Sequence, residues 1–176
     1  ITYMRTDSTN LSQNALAQIT EIVTKKFGKE YLDIRTYSAK SKNAQEAHEA
    51  IRPTHFNLQE CGINDEQKKL YELIWRRAVS SQMKDAGTLR TKITANVEGA
   101  DTPNFSITGT QVKFPGWLLG DPASRGDDVE LPKVVAGEKL DFINVTSEEK
   151  QTEPPGRYSE AGLIKELEKR GIGRPS

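Results

Sequence analysis

The spacing of the hydrophobic residues changes once along the chain, near residue 87. Before that point, apolar residues recur every three or four positions, as at Leu16, Ile19 and Val23, which is typical of one face of a helix. After it, in the stretch LRTKITANVE, apolar and polar residues alternate as in a strand with one buried face. Helices followed by antiparallel strands define an α+β protein, so the predicted fold class is α+β.

Three helices are predicted before this change. The first begins after the capping residue Ser12 and ends at Gly28. The second is short, with Asn43 as its cap and an end just before Pro53, because the residue before a proline avoids helical geometry. The third begins after Asn64 and continues to the change of period. Its predicted buried stripe consists of Leu70, Leu73, Ile74 and Trp75.

The β region contains three predicted strands. LRTKITANVE and FSITGTQVKF are separated by the turn GADTPN, and EKLDFINVT follows later. The alternation within the second strand slips around Gly109, which predicts a β-bulge there. After a linker rich in proline and charge, SEAGLIKELEKRG predicts a final helix that begins after Ser159 and ends at Gly171. We therefore expect an antiparallel β-rich region followed by a short C-terminal helix.

Composition and charge exclude several classes of protein. The 176 residues contain 25 Lys and Arg against 25 Asp and Glu, so the chain is not a strongly basic nucleic-acid binder, although a local positive face would suffice for binding. Cys61 is the only cysteine, which excludes an internal disulfide and a cysteine-based zinc site and fits a reducing compartment. No apolar run is long enough to span a membrane, and no signal peptide is recognisable.

The two ends predict a piece of a longer protein. The chain begins at Ile1 without an initiator methionine, and it stops at the phrase GIGRPS. The first helix would then lack packing partners from upstream. An exposed apolar stripe of this kind favours self-association of the chain.

The stretch YMRTDST places three polar groups on one face. In an extended segment Tyr3, Arg5 and Asp7 point the same way. A tyrosine can act as a covalent nucleophile when a base or a nearby cation helps it to lose its proton, and the planar guanidinium of Arg5 suits a phosphate. From these seven residues alone, the commoner interpretation is a tyrosine packed in a turn beside a surface ion pair.

The predicted short helix carries a second polar face. Gln45, His48, Glu49 and Arg52 are spaced three or four residues apart, so they would lie together. An amide, an imidazole, a carboxylate and a guanidinium could bind phosphate or transfer protons. The alternative is a solvated helix in which Glu49 pairs with a lysine or an arginine.

Three phrases of the sequence resemble signatures of the type IA DNA topoisomerases. They are YMRTDST, NAQEAHEAIRPT and SEAGLIKELEKRGIGRPS, in the family's order and at about its spacing, and the first two are most similar to the bacterial topoisomerase I branch. The resemblance implies an enzyme that clamps single-stranded DNA within negatively supercoiled duplex and cleaves it through a 5′-phosphotyrosyl bond. The intact strand passes through the gap, and religation follows without ATP.

The resemblance also implies roles for individual residues. Tyr3 would be the nucleophile, and Arg5 would hold the scissile phosphate and stabilise charge in the transition state. Asp7 and His48 would pair, with His48 directed at the DNA. Gln45 and Arg52 are weaker candidates for positioning the strand, and Arg174 and Ser176 match a segment that approaches DNA phosphate in the family.

The remaining implications concern domains and partners. Residues 1–87 would be the helical gate domain with the tyrosine, 88–153 the β-rich arch on which it swings, and 154–176 a linker and the start of the next DNA-binding domain. Mg²⁺ would be bound by an acidic Toprim domain upstream of residue 1, so we expect no metal site here and no activity from the chain alone. The location would be the cytoplasm.

Two functions of other classes fit the residues without the resemblance. One is a non-enzymatic module for single-stranded DNA in which Tyr3 stacks on a base. The other is a protein-interaction β domain with a helical adaptor. It predicts no salt-dependent affinity for DNA, whereas contacts to phosphate predict affinity that falls as salt rises.

Overall fold

A computed structural model describes residues 1–6, 8–37, 48–99 and 101–172. The chain forms two units, a first from Ile1 to Leu131 and a second that begins at Pro132. The first unit contains helices α1 (Gln13–Lys26) and α2 (Asp65–Ser80) and strands β1 (Gly87–Ala95) and β2 (Phe105–Phe114). The second contains helix α3 (Glu160–Lys169). The α+β class is therefore confirmed.

Helix α1 forms as its sequence predicts. The Ser12 hydroxyl accepts a hydrogen bond from the Ala15 amide at 3.4 Å, which caps the first turn. The helix ends at Lys26 with Phe27 as its C-cap, and Gly28 follows with a φ of 109°, which a residue with a side chain rarely adopts. Ala15, Ile19 and Val23 are fully buried on its inner face.

Helix α2 begins where predicted but ends earlier. The Asn64 side chain accepts from the Gln67 amide at 2.9 Å, and the helix stops at Ser80 instead of continuing towards Gly87. Beyond the helix, Met83 forms an antiparallel β-bridge with Leu32, so the main chain there no longer follows the α-helical pattern of hydrogen bonds.

The buried face of α2 also differs from the predicted stripe. Trp75 is buried, as expected, but Leu70 and Leu73 are about half exposed. Their place is taken by Ala78 and Val79, one turn closer to the helix end, where α1 and the chain around Phe56 supply the packing surface. The Trp75 indole donates to the Phe56 carbonyl at 2.8 Å, so its polar edge is satisfied inside the core. The core consists of Ala15, Ile19, Val23, Phe56, Trp75, Ala78, Val79 and Met83.

The predicted short helix before Pro53 is wrong over its described part. Residues 48–51 are not helical, and the beginning of the predicted helix lies outside the described residues. The reason is visible in the hydrogen bonds of Ala50 and Arg52. Their main-chain groups bond to Thr2 and Asn10 instead of to neighbours four residues away.

Strands β1 and β2 pair antiparallel, with Thr91 opposite Gly109. The bulge predicted at Gly109 is wrong, because the register shift lies between Gly87 and Thr88, opposite the end of β2. Gly109 has another role. A Cβ built there would lie 2.4 Å from the carbonyl oxygen of Val129, so a glycine is needed for the chain to pass close by.

The base of the hairpin is fixed to the helical part of the first unit. The rings of Tyr31 and Phe114 stack with centroids 5.1 Å apart, and the Trp117 amide donates to the Lys84 carbonyl at 2.8 Å. Gly116 lies between these contacts with a φ of 50°. Short 3₁₀ helices flank this region, at Lys29–Tyr31, Gly116–Leu119 and Pro122–Ser124.

The second unit has one regular element in its described part, α3. Its predicted cap is confirmed, since Ser159 accepts from the Gly162 amide at 3.1 Å. The strand predicted for EKLDFINVT is wrong: its residues form no ladder, and Phe142 and Ile143 are largely exposed. An alternating pattern makes a strand only when a partner strand satisfies its main chain. The β-rich region thus reduces, among the described residues, to one two-stranded hairpin.

The described part of the chain includes no helix of the length and apolar character required to cross a bilayer.

Candidate functional site

The segment that contains Tyr3 and Arg5 lies against the residues that follow His48. The Thr2 amide donates to the Arg52 carbonyl at 2.9 Å. The Thr2 hydroxyl donates to the Ala50 carbonyl at 2.8 Å and accepts from the Arg52 amide at 3.0 Å. These three short hydrogen bonds, and a longer contact of 3.5 Å from the Thr2 hydroxyl to the Arg52 carbonyl, join Thr2 to residues about fifty positions later in the chain.

A second set of contacts holds the other end of this segment. The Ala50 amide donates to the Asn10 carbonyl at 2.8 Å. One carboxylate oxygen of Glu49 accepts from the Ser12 amide at 2.8 Å. Residues 49–52 thus contact the amino-terminal segment before Tyr3 and again after Arg5.

An ion pair between Glu49 and Arg52 completes this arrangement. The guanidinium of Arg52 donates to the second carboxylate oxygen of Glu49 at 2.7 Å, to the Pro53 carbonyl at 2.8 Å and to the Ser12 hydroxyl at 3.3 Å. Arg52 itself is only 8% exposed. A buried guanidinium with these partners fixes the backbone around it.

Glu49 also supplies negative charge at the beginning of α1. The first turn of this helix contains no acidic residue of its own. The Glu49 carboxylate lies there through its bond to the Ser12 amide, where the positive end of the helix dipole favours an anion. Partial burial by itself would raise the pKa of Glu49, but hydrogen bonds from Ser12 and Arg52 outweigh it and hold the pKa below its ordinary value.

The predicted site residues fall into three groups. Tyr3 is 80% exposed, and Arg5 is also exposed, so both side chains are open to a ligand. His48 is half-buried, and Arg52 is buried. The other predicted site residues, which are Asp7, Gln45, Arg174 and Ser176, lie outside the described residues.

The prediction that Arg52 contacts DNA is not tested by these contacts. They do give its side chain an internal role. Glu49 pairs with an arginine, as the alternative interpretation expected, but the solvated helix of that interpretation is wrong, because residues 48–51 are not helical and Arg52 is buried. Sequence reasoning missed Thr2 and the position of Glu49 at the start of α1. The Glu49–Arg52 pair has a local signal, a spacing of three residues, whereas no local pattern indicates that Thr2 bonds to residues 50 and 52.

The described residues do not provide a metal site of their own. Within 1–6, 8–37, 48–99 and 101–172, no three or more histidine, cysteine, aspartate or glutamate side chains converge closely enough to hold an ion. No step is therefore assigned to a metal bound by the residues that the structure describes.

A separate cleft of about 670 Å³ lies between the end of α1, the start of α2 and the 3₁₀ helices. The Lys68 ammonium lies 3.1 Å from a carboxylate oxygen of Glu60, and the Arg76 guanidinium lies 3.2 Å from a carboxylate oxygen of Glu72. Lys26 lies over the Trp75 ring, 5.2 Å from its centre. Lys26, Lys68 and Arg76 are therefore already engaged by an aromatic face or by carboxylates, and we assign this cleft no ligand.

Comparison with known proteins gives one consistent result. A family model described as DNA topoisomerase matches residues 1–176. DNA topoisomerase 1 of Streptomyces coelicolor is 46% identical over 191 residues, and that of Escherichia coli K12 is 44% identical over 182 residues. Each alignment covers the whole of this chain and 20% to 21% of the relative.

A solved structure agrees with the sequence comparison. The structure of full-length topoisomerase I from Thermotoga maritima superposes with a TM-score of 0.82 at 34% identity, over 98% of this chain and 28% of that one. The present chain thus spans about a fifth of the length of the curated relatives that it matches. It belongs to the DNA topoisomerase family, in the type IA branch of bacterial topoisomerase 1.

Proposed function

We propose that this chain carries the nucleophile of a topoisomerase that relaxes negatively supercoiled DNA by transient cleavage of one strand. The observation that carries the proposal is the position of Tyr3. Its ring is 80% exposed, and the residue before it is bonded to the segment that follows His48. A chain of this family therefore presents an accessible phenol on an anchored backbone.

The proposed reaction exchanges one phosphodiester for another. The phenol oxygen of Tyr3 attacks a backbone phosphorus in line, and the bond from phosphorus to the 3′ oxygen breaks. The phenol loses its proton, and the 3′ oxygen takes one up. The phosphate then links the tyrosine oxygen to the 5′ oxygen of the downstream strand. After strand passage the 3′-hydroxyl reverses the attack. Because the ester retains the energy of the broken bond, no ATP is needed.

Other residues support this reaction in the proposal. Arg5, exposed two residues after Tyr3, binds the scissile phosphate and stabilises the charge that develops on it. His48 faces the DNA and pairs with Asp7. The remaining proposed DNA contacts are Gln45, Arg52, Arg174 and Ser176.

The proposal extends to parts of the protein beyond these residues. Mg²⁺ would be held by carboxylates of a Toprim domain in the same full-length protein, which acts in the cytoplasm. Residues 1–87 would move as a gate on an arch formed by 88–153, and 154–176 would begin the next DNA-binding domain. Support for this division comes from the family membership and from the resemblance of the three motifs.

Covalent trapping tests the proposal directly. A single-stranded oligonucleotide labelled at its 3′ end is incubated with the full-length protein and Mg²⁺, then denatured. We expect a labelled protein band that Tyr3→Phe abolishes, because the phenol oxygen is the atom that forms the bond. Tyr158→Phe is a matched control, since Tyr158 is also exposed, at 65%, and is not one of the proposed site residues. A band that survives Tyr3→Phe would refute the assignment.

The same variant distinguishes the alternative of a non-enzymatic module for single-stranded DNA. The exposed ring of Tyr3 favours that alternative as well, because it could stack on a base. A phenylalanine retains the ring, so the module predicts unchanged binding and no covalent band with either protein.

A further inference from the structure

We infer that Thr2 is a positioning residue whose hydroxyl sets the place of the Tyr3 phenol for attack on phosphate. The inference rests on the proposed function, because it concerns the geometry of that reaction. Thr2 does not touch the reacting atoms. It acts through the backbone that it shares with Tyr3.

The Thr2 hydroxyl uses its hydrogen-bonding capacity on one short stretch of chain. It donates to the Ala50 carbonyl at 2.8 Å and accepts from the Arg52 amide at 3.0 Å. Both distances are those of well-formed hydrogen bonds. One bond uses the proton and the other a lone pair, and the Arg52 carbonyl is a second, more distant acceptor at 3.5 Å. All these contacts are with residues 50 and 52, so the hydroxyl holds the backbone next to Tyr3 against that stretch.

The contacts after Arg5 make this anchor effective. Asn10 accepts from the Ala50 amide at 2.8 Å, and the Ser12 amide donates to Glu49 at 2.8 Å. Residues 2–12 are therefore fixed at both ends to the same four residues, 49–52. Tyr3 lies immediately beside the first of these two anchors, so a change at Thr2 is transmitted to it over one peptide unit.

In-line attack depends on such placement. A nucleophile gains rate when it is held close to the phosphorus in the right direction, and a displacement of about 1 Å costs on the order of a hundredfold. Thr2→Val preserves the branched shape of the side chain but removes the hydroxyl. The Ala50 carbonyl and the Arg52 amide would then lose their partner, and only the bond from the Thr2 amide to the Arg52 carbonyl would remain.

The test compares Thr2→Val with two matched variants in the full-length protein. Thr2→Ser retains the hydroxyl at the same position. Thr20→Val makes the same chemical change on α1, where the Thr20 hydroxyl donates to the Leu16 carbonyl at 2.7 Å. For each protein, the rate of single-turnover cleavage is measured on a saturating 3′-labelled oligonucleotide. The affinity for that oligonucleotide is measured separately without Mg²⁺.

We expect Thr2→Val to reduce the cleavage rate by roughly tenfold to a hundredfold while the affinity stays unchanged. Thr2→Ser should restore the rate, and Thr20→Val should not alter it. The inference is overturned if Thr2→Val cleaves as fast as Thr20→Val. It is also overturned if Thr2→Val fails to fold or loses affinity in proportion to rate, because Thr2 would then have a structural role only.

These outcomes are separate from the failure of the proposed function. If Tyr3→Phe still forms the covalent band, the nucleophile is misassigned whatever Thr2 does. If Tyr3→Phe abolishes the band and Thr2→Val cleaves normally, the proposed function stands and the role of Thr2 does not.

Discussion

Glu49 shows how one side chain serves two parts of the site. Its two carboxylate oxygens accept from different donors, the Ser12 amide and the Arg52 guanidinium, at 2.8 and 2.7 Å. The first contact stabilises the start of α1, and the second neutralises a buried cation. Protonation of Glu49 would weaken both contacts.

The lowered pKa of Glu49 predicts a pH dependence of local stability. A depressed pKa means that the stabilisation is present above the ordinary value of 4.5 and is lost as pH falls through the lower value of the folded state. Glu49→Gln should therefore reduce the protection of α1 amides at neutral pH. We expect the free energy of local opening of α1 to fall by about 1 kcal/mol, since the bonds are charge-assisted but the carboxylate is partly solvated.

Hydrogen exchange measured by mass spectrometry on peptides from α1 checks this expectation. Each variant is compared with the unmodified full-length protein at the same pH, which removes the intrinsic pH dependence of exchange. Glu21→Gln is the control, because Glu21 pairs with Lys25 on the exposed side of the same helix. A Glu49→Gln effect that does not shrink as pH falls below 4.5 would contradict the assignment.

At the scale of elements, the base of the hairpin depends on a single glycine. Gly116 has a φ of 50°, and a Cβ built on it would lie 2.5 Å from the Asp85 carbonyl oxygen. The main chain before β1 and the chain after β2 come together at this point. No other residue type allows the same approach without moving one of them.

Gly116→Ala should destabilise the first unit by about 2 kcal/mol or more, since strain in φ adds to a clash with backbone. Gly99→Ala is the control that measures the effect of a positive φ without a clash, because Gly99 has a φ of 76° with nothing within 4 Å of its Cβ position. Trp75 and Trp117, the two tryptophans of the chain, both lie in the first unit, so urea unfolding followed by their fluorescence reports on it. Equal losses for the two variants would contradict the close approach.

The sequence predicts those elements whose signals are local. The caps Ser12, Asn64 and Ser159 form as expected, because each bonds to an amide three residues further on. The two strands of the hairpin also follow from their alternation and the turn between them. These features need no information about the rest of the fold. The buried face expected for the first strand is wrong, because Leu89 is about half exposed and no residue of β1 is buried.

The wrong predictions share a different physical cause. Around His48 the periodicity suggested a helix, but the main chain of residues 50 and 52 bonds to distant partners instead. In EKLDFINVT the alternation is present without a partner strand among the described residues. At the candidate site, the chemistry of Tyr3 and Arg5 makes them candidates from sequence alone and their roles stay predictions, whereas no local pattern indicates the anchor at Thr2. In each case the outcome depends on which remote segment satisfies the main chain.

At the scale of the molecule, the chain supplies the proposed nucleophile without a metal site among its described residues. We expect the 176-residue chain alone not to relax negatively supercoiled plasmid in the presence of Mg²⁺, because the resemblance assigns the metal-binding carboxylates to a separate domain. Agarose gel electrophoresis of the plasmid measures this, with the full-length protein as the positive control. Relaxation by the chain alone that requires Mg²⁺ and disappears in Tyr3→Phe would contradict the prediction.

The self-association expected from an exposed apolar stripe stays a prediction. In the described part of the second unit, Leu140, Phe142 and Ile143 are exposed, whereas α1 buries its inner face against α2. Any association of the isolated chain is thus more readily attributed to the second unit than to the first helix.

The charge that Glu49 contributes to α1 bears on the order of events during synthesis. Helix α1 leaves the ribosome without an acidic residue in its first turn, and the carboxylate that completes that turn arrives 37 residues later. Until the intervening loop closes, the nascent helix lacks this stabilisation and depends on its own cap and apolar face. The contacts of residues 49–52 with the amino-terminal segment can form only after residue 52 has been synthesised, so the segment that carries Tyr3 depends for its place on chain made about fifty residues later.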